Sequence, residues 1–224
     1  MFDITLYGHL TNDTITDNDS QTMSLGGIAN CWRTLIDLDS KLQIGLMPTA
    51  IGTSEIIINR KDSTRTSKSS LNETVFTPEI KLSKIHHVMY LNELPDTTFI
   101  SKLNGILSAD LCVGKEVDYE LLKYFDYIFV SNDEHDVNKI KKYSKGAVIA
   151  HEPEGSIYWS SANDFAKSYT IDKKDFVDNA NVLGAGDMFA SCFLYAILSN
   201  RLHIAIEYAH INTANLIRKY NEKI

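Results

Sequence analysis

Short apolar runs alternate with helical patterns through the middle of the chain. The runs that read as strands cover residues 86–90, 106–110, 127–130 and 147–150. The segments between them, at 97–104, 117–124 and 133–143, have the spacing of amphipathic helices. Strands that are apolar throughout and alternate with helices are typical of a parallel sheet with both faces buried. The pattern therefore predicts an α/β fold.

The N-terminal part predicts a strand that leads into a helix through a polar loop. Alternation over 3–7 indicates the first strand, and 8–13 reads as a turn that ends in an acid. Gly26 and Gly27 then open a helix whose apolar residues recur at helical spacing. A strand that leaves through glycine into a polar loop is a common way for α/β proteins to place ligand-binding groups.

A polar hairpin follows that helix. Residues 42–47 predict a short strand and 48–52 a turn, after which 54–59 and 64–70 form the two arms of the hairpin. Both arms are polar beyond Ile58, so we expect the hairpin to project away from the core. A flap over a site and a plain solvent-exposed excursion both fit this pattern.

Composition narrows the class of protein. With 224 residues and 44% hydrophobic residues, the chain is long enough for one large domain with a real core. A net charge of -7 argues against a nucleic-acid partner. The apolar runs are too short for a membrane span and the N-terminus lacks a signal-peptide pattern, which together predict a cytoplasmic protein without a membrane partner. Three widely spaced cysteines in apolar contexts read as free thiols in a reducing compartment.

The candidate chemistry is concentrated at residues 181–189, where a helix begins after two glycines that flank an alanine. Small residues let the backbone turn tightly with its N–H groups outward, and the new helix adds the positive end of its dipole. The amides of Gly184, Ala185 and Gly186 therefore form a candidate anion pocket. At its rim, Asp187 would act as a general base toward a hydroxyl while the amides hold a transferred phosphoryl group. We expect its carboxylate to face an open cleft.

Two other interpretations of this stretch remain. It could be a glycine-containing turn capped by an acid in the first helical turn. It could also be a dinucleotide loop, because Gly184 and Gly186 are followed by Ala190, which would indicate an oxidoreductase. The second interpretation is weaker, since such a loop should follow the first strand of a βαβ unit and precede a strand-end acid by roughly 20 residues.

A second group of candidate residues lies near the N-terminus. Asp13 follows the first strand, and Asn30 lies in the first turn of the helix that Gly26 and Gly27 open. A polyol against the glycine backbone could use the Asn30 amide as both donor and acceptor. The simpler interpretation makes Asp13 a turn acid, the glycines a close packing contact and Asn30 a cap.

With these motifs in place, the chain resembles the ribokinase-like, or PfkB, carbohydrate kinases. The family's most specific signature is Gly-Ala-Gly-Asp with an aromatic two residues on, and it is matched by residues 184–187 with Phe189. The N-terminal glycine pair with Asn30 matches a second signature, and Asp13 matches an early sugar-binding acid. Residues 48–49 and 62–66 resemble the strand and turn of the family's lid.

The resemblance implies a fold and an activity. The fold is a three-layer α/β/α sandwich with a mostly parallel sheet and a small β lid. It forms a single domain over 1–224, with the lid at about 13–25 and 53–72. The activity is transfer of a phosphoryl group from ATP, with Mg2+, to a hydroxymethyl group of a sugar or nucleoside. Pairing of two copies through the lid is also implied.

The resemblance further implies a role for each matched residue. Asp187 is the base, and the amides of Gly184, Ala185 and Gly186 are the anion hole. The acceptor-binding residues implied are Asp13, Gly26, Gly27 and Asn30. The nucleotide-binding residues implied are Asn132, His151, His210 and Asn212, with Glu134 as the metal ligand.

Several departures from the family pattern put catalysis in question. The metal-associated Asn-x-x-Glu has His135 in place of its glutamate, so Glu134 serves only if the helix register shifts. The Thr-x-Gly after the fourth strand reads Ala-His-Glu, and Glu152 would disfavour a triphosphate. A helix–strand unit that is usual in the family is missing between Gly45 and Pro48. The alternative function is therefore a weak or inactive kinase-fold protein that binds a sugar or nucleotide.

Overall fold

A single sheet carries the helices of the molecule on its faces. The structure is a computed structural model, and it describes residues 1–61, 64–72, 76–111, 116–131, 135–152, 154–160, 165–172, 176–177 and 180–221. Within these residues the sheet has ten strands: β1 Phe2–Asp17, β2 Ser20–Gly27, β3 Ile44–Asn59, β4 Thr64–Leu71, β5 Ser83–Val88, β6 Ile106–Asp110, β7 Tyr127–Ser131, β8 Ala147–Glu152, β9 Gly155–Ser160 and β10 Phe165–Thr170. The α-helices are α1 Ile28–Leu38, α2 Val137–Tyr143, α3 Ala185–Leu198 and α4 Ala205–Asn221.

The centre of the sheet is parallel and its margins are antiparallel. The strand order is β10-β9-β8-β7-β6-β5-β1-β3-β4, and β2 pairs with β1 outside this path. Every pair from β8 through to β3 is parallel, whereas β2, β4, β9 and β10 each pair antiparallel with a neighbour. The predicted α/β fold with a mostly parallel sheet is confirmed.

Each face of the sheet is covered by its own hydrophobic cluster. Phe129 on β7 packs with Phe193 of α3 on one face, in a cluster that also takes in α1 and α4. Its neighbours Ile128 and Val130 point to the other face, where they pack with Ile140 of α2. Adjacent residues of a strand face opposite ways, which is why these strands are apolar throughout and do not alternate. The result is a helix layer on each side of the sheet.

Two long strands carry the chain beyond this core. β1 and β3 are each 16 residues long and pair in parallel, with one register shift after Gly8. The predicted turns at 8–13 and 48–52 are wrong, because both segments lie inside this continuous pairing. Burial along β3 alternates strictly from Gly52 onward, so that Ile56 and Ile58 face inward. Most polar residues of these two segments are buried strand residues, among them His9, Thr11, Asp13 and Thr49, so their polarity did not indicate a turn.

We call the outer part of these strands the strand extension, residues 10–27 together with 52–61 and 64–71. In it β2 pairs with β1 and β4 pairs with β3. Its inner face carries Ile15, Ile56 and Ile58, which pack together with Leu183 of the loop before α3. The helix–strand unit that the sequence comparison with the family predicted to be missing between Gly45 and Pro48 is absent, since β3 passes without interruption from the core into the extension.

The predicted helices between the central strands are shorter than expected. Residues 97–104 and 117–124 contain only the 3-10 segments Ile100–Lys102 and Tyr119–Tyr124. α2 begins at Val137, where the Asp136 side chain accepts a hydrogen bond from the Lys139 amide. None of the described helices is both long and apolar enough to cross a membrane.

Candidate active site

The loop before α3 places backbone donors at the start of a buried helix. Gly184 takes the left-handed conformation, with φ of 75°, and so lets the chain turn into α3. The amide of Ala185 donates to the Val182 carbonyl at 3.0 Å, so it is already used within the loop. The amides of Gly186 and Asp187 have no acceptor in the part of the chain that the structure describes. The Gly184 amide likewise has no acceptor among the described residues, so the amides of Gly184, Gly186 and Asp187, aided by the dipole of the 14-residue helix, are the available anion donors.

The carboxylate of Asp187 is covered by neutral donors. Only 4% of Asp187 is exposed. Asn30 Nδ2 donates to Oδ2 at 2.8 Å, and the Tyr90 hydroxyl lies 2.9 Å from Oδ1 and 3.0 Å from Oδ2. The expectation that this carboxylate faces an open cleft is wrong for this conformation. It is instead a buried carboxylate with its hydrogen bonds supplied by an amide and a phenol.

The surroundings of Asp187 shift its acidity in opposing directions. Burial is the largest effect and raises the pKa of Asp187, because the charged form loses its hydration. The hydrogen bonds from Asn30 and Tyr90 lower that pKa, and so does the positive charge of Arg65, while Asp13 raises it. The net result is a pKa above the ordinary value of an aspartate, which makes the carboxylate a stronger base than a solvated one.

Tyr90 is a site residue that the sequence analysis missed. It follows the carboxyl end of β5 and has φ of 53°, a left-handed conformation that is strained for a bulky residue. Its ring stacks on the ring of His9, with centroids 4.7 Å apart, and its hydroxyl reaches Asp187. The available signal was its position, since ligand groups of parallel sheets gather beyond the carboxyl ends of strands.

Asp13 and Gly26 approach each other closely on the strand extension. A Cβ atom placed on Gly26 would lie 1.9 Å from Asp13 Oδ2, so only glycine fits beside this carboxylate. Asp13 is 5% exposed, and its Oδ1 has no hydrogen-bond partner among the described residues. Gly27 serves a different contact, because a Cβ there would lie 2.1 Å from the backbone oxygen of His9. The structure thus leaves one acceptor oxygen of Asp13 for a ligand.

A cavity of about 220 Å³ lies between the strand extension, α1 and the loop before α3. Asp13 and Ser24 line it from the extension, Asn30 and Arg33 from α1, and Leu183 from the loop before α3. Asn30 both lines the cavity and contacts the buried carboxylate, since its side chain donates to Asp187. The structure therefore brings together Asp13, Asn30 and Asp187, which the sequence had placed in three separate segments.

Of the residues predicted to bind a nucleotide, two histidines lie near the start of α3, whereas Asn212 does not. His151 and His210 pack on Phe189, with ring centroids 5.1 and 4.8 Å away respectively. His210 Nε2 lies 2.9 Å from Ser156 Oγ, and burial lowers the pKa of His210 to about 4. Asn212 donates to the Tyr208 carbonyl of its own helix and does not reach the site. Asn132 and Glu134 lie outside the described residues.

His151 borders the available amides. A Cβ atom on Gly186 would lie 3.4 Å from His151 Cε1, so the imidazole stands directly beside the start of α3. His151 is half-buried and the next residue, Glu152, is exposed. A side chain at position 186 would therefore contact the imidazole ring of His151.

A polar cluster ties the strand extension to the last helix. Arg60 binds Asp17 through both Nε and Nη2, at 2.8 and 2.6 Å, and its Nη1 donates to Asn221 Oδ1 at 2.7 Å. The same Asn221 oxygen accepts the amide of Asn181, and Asn221 Nδ2 donates to the Asn181 carbonyl. The side chain of Asn181 in turn accepts the Leu183 amide at 2.9 Å. The extension, α4 and the loop before α3 are joined at this cluster.

Comparison with known proteins adds information about the fold. No protein-family model matches the chain. A curated relative, 5-dehydro-2-deoxygluconokinase of Halalkalibacterium halodurans, is 25% identical over 169 residues, which cover 70% of this chain and 49% of that protein. The matched region thus spans about half the length of that relative.

Several solved structures share the architecture over almost the whole chain. A pyrophosphate-dependent kinase in the ribokinase family has a TM-score of 0.68 and 17% identity, and the match covers 96% of this chain and 95% of that one. Ribokinase from Thermotoga maritima has a TM-score of 0.64 and 18% identity, covering 95% and 91%. Adenosine kinase from Sinorhizobium meliloti has a TM-score of 0.68 and 15% identity, covering 97% and 94%. The resemblance to the ribokinase-like kinases is confirmed, and the chain has their fold.

Removal of the buried charge at Asp187 should stabilise the protein at neutral pH. Because the pKa of Asp187 is higher in the folded state than in the unfolded state, the folded state binds the proton more tightly. The free energy of unfolding therefore falls as pH rises through these two pKa values, and the penalty is complete above both. We expect Asp187→Asn to have a higher Tm than the unchanged protein at about pH 8, with the gap closing toward about pH 4. A Tm difference that does not change with pH would contradict this account.

Proposed function

We propose that this chain catalyses ATP-dependent transfer of a phosphoryl group to a hydroxymethyl group of a sugar or nucleoside, with Asp187 as the general base. One observation carries the proposal. Asp187 lies in the first turn of α3 beside two unused amides, and Asn30 joins its carboxylate to the cavity that Asp13 lines. A base, an anion site and an acceptor pocket are the three parts that phosphoryl transfer requires.

The proposed reaction uses each part at a named atom. The acceptor hydroxyl gives its proton to a carboxylate oxygen of Asp187 as the alcohol oxygen forms a bond to phosphorus. The bond between that phosphorus and the bridging oxygen of the donor breaks, and the amide of Gly186 stabilises charge on the transferred group. Asp187 accepts from two donors here, the Asn30 amide and the Tyr90 hydroxyl that its two oxygens share, whereas a carboxylate has about four acceptor directions. The hydroxyl takes the remaining direction or displaces Tyr90.

The donor and its metal are the less defined half of the site. The resemblance implies Mg2+, whose predicted ligand Glu134 is outside the described residues, and no group of three or more ligating side chains occurs within them. No step of the proposal is therefore assigned to a metal. One protein of the same fold is a pyrophosphate-dependent kinase, so pyrophosphate belongs beside ATP in any donor test.

A second candidate function is binding of a sugar or nucleotide without transfer. Two observations favour it: the carboxylate of Asp187 is covered by Asn30 and Tyr90, and His151 stands against the Gly186 amide. In that case the cavity would still bind a polyol, because Asp13 has a free acceptor oxygen. The two functions differ only in whether phosphate reaches the acceptor.

The outer face of the strand extension supports the proposed pairing of two copies. It exposes large apolar side chains on β2 and β3, the two strands that flank β1: Met23 at 70%, Leu25 at 52% and Ile57 at 59%, with Ile51 at 41% just before the extension. Ile56 and Ile58, the strand neighbours of Ile57, face inward, so these exposed side chains lie on the opposite face. Exposed apolar patches of this kind mark protein interfaces. We propose that the extension is both the lid of the cavity and the dimer contact.

Replacement of the base tests the kinase proposal directly. A screen of sugars and nucleosides with ATP or pyrophosphate should identify a phosphorylated acceptor by mass spectrometry. Asp187→Asn should then lower kcat by roughly 10²–10⁴-fold, the usual worth of a positioned base, with acceptor binding retained. Unchanged turnover in the variant would contradict the role of Asp187. Acceptor binding by calorimetry with no product from either donor would support the second candidate function.

Tyr90→Phe should change the pH dependence of the reaction. The Tyr90 hydroxyl stabilises the charged form of Asp187, so its loss should raise the pKa of Asp187 further. We expect the acid limb of the profile of kcat/KM against pH to move to higher pH in this variant. Tyr127→Phe is the matched control, because Tyr127 begins β7 at the amino ends of the parallel strands, whereas Tyr90 follows the carboxyl end of β5. An unmoved acid limb in Tyr90→Phe would show that Tyr90 has only a packing role.

Ile57→Lys should dissociate the proposed dimer. A lysine at position 57 would bring one positive charge from each copy into the contact between copies. Sedimentation velocity should show a dimer for the unchanged protein and a monomer for the variant. Ile211→Lys, at an isoleucine of α4 that is 46% exposed, should leave the dimer intact. A monomer in every case would remove the proposed contact.

A further inference from the structure

A guanidinium group lines the acceptor cavity without a carboxylate partner. Arg33 lies on α1 one turn after Asn30 and is half-buried, and both side chains line the cavity. No Asp or Glu in the described ranges lies within ion-pair distance of it. The nearest acid along its helix, Asp37, is instead bound by Lys219 at 3.0 Å and by the Tyr220 hydroxyl at 2.6 Å.

The hydrogen bonds of Arg33 use one nitrogen of its guanidinium group and leave the other two nitrogens without an acceptor in the described chain. Its Nη2 donates to Ser24 Oγ and to the Leu25 carbonyl, each at 3.0 Å. Within the described chain Nη1 and Nε have no acceptor. A guanidinium presents five donors in a planar fork that fits a carboxylate through two parallel hydrogen bonds. Arg33 is thus oriented by neutral partners toward a site that would take an anion.

The opposite charge in the same cavity belongs to Asp13, and the two residues do not pair with each other. Asp13 is buried and its Oδ1 is unpartnered. A buried carboxylate oxygen of this kind accepts from hydroxyl groups, whereas the Arg33 fork binds a carboxylate. The cavity therefore offers Asp13 to hydroxyl groups and Arg33 to a carboxylate. Asn30, in the same lining, is hydrogen-bonded to Asp187.

The cavity is of a size for such a molecule. Its volume of about 220 Å³ is equivalent to about seven water molecules at about 30 Å³ each. That space accommodates a short open-chain or cyclic polyol. Ser24 and Thr34 add hydroxyl groups to the lining of the cavity.

We propose that the phosphoryl acceptor is a polyhydroxylated carboxylic acid, an aldonate or a keto-aldonate, whose carboxylate binds Arg33. This inference rests on the proposed function and names its substrate class. The hydroxyls of the acid bind Asp13, and the terminal hydroxymethyl group, at the far end of the carbon chain from the carboxylate, reaches Asp187. Arg33 is a specificity residue, since it contacts the part of the acceptor that does not react.

Matched acceptors test the proposal. Aldonates and the alditols of the same carbon chain, such as gluconate and glucitol, differ in the carboxylate and share the hydroxyl pattern. We expect kcat/KM of the unchanged protein to be higher for aldonates by about 10- to 100-fold, the worth of a charged hydrogen-bonded pair. Arg33→Gln should remove most of this preference by lowering kcat/KM for aldonates while leaving that for alditols nearly unchanged.

A control variant and a conservative one separate specificity from structure. Lys68→Gln removes one positive charge from an exposed residue of β4 outside the cavity lining and should leave the preference intact. Arg33→Lys keeps the charge without the fork and should restore part of the preference. If Arg33 only ties β2 to α1 through Ser24 and Leu25, Arg33→Gln should lower kcat/KM for both acceptor classes equally and lower Tm. That result would overturn the proposal.

The outcomes also distinguish this inference from the proposed function. Phosphorylation of alditols or nucleosides in preference to aldonates would overturn the acid acceptor and leave the kinase intact. No phosphorylation of any acceptor would count against the kinase. In that event calorimetry with aldonates still decides the inference: binding that weakens about 10- to 100-fold in Arg33→Gln supports it, and no aldonate binding refutes it.

Discussion

The buried carboxylate of Asp187 is the feature on which the arrangement of the site depends. Removing a carboxylate from water is unfavourable unless hydrogen bonds replace the lost hydration. Here the replacements come from two distant segments, Asn30 on α1 and Tyr90 after β5, and both meet at the first turn of α3. The three segments are held in register behind the site by the apolar cluster around Phe129 and Phe193. A single charged group thus fixes how α1, α3 and the end of β5 approach one another.

The long parallel pairing of β1 and β3 gives the site its second half. Both strands start in the core and end in the strand extension. The cavity residues that β1 carries are therefore part of a strand that also belongs to the central sheet. Asp13 lies on the inner face of β1, beyond the core, where Gly26 of β2 leaves room for its carboxylate. Because β3 lacks an intervening helix–strand unit, core and extension form one continuous pair of strands.

The local signals in the sequence predicted the two helix starts beside the glycines better than they predicted the long strands. The helix start at Gly184 to Asp187 is a short-range feature, since glycine conformations and a helix terminus are set by neighbouring residues. Asn30 was placed correctly beside glycines, although its partner Asp187 is 157 residues away. The turns predicted at 8–13 and 48–52 failed because long parallel pairing depends on a distant strand. Tyr90 and Arg33 carry no motif, and their roles arise only from what the fold places beside them.

The side chain of Asn221 has a consequence for movement of the strand extension. It bonds at once to Arg60 of the extension and to both backbone groups of Asn181, two residues before Leu183. An outward swing of β3 and β4 must therefore either break these bonds or drag the segment ahead of α3 with it. The position of the strand extension and the order of the backbone before α3 are in this way coupled through the side-chain amide of Asn221, and the coupling acts equally in both directions.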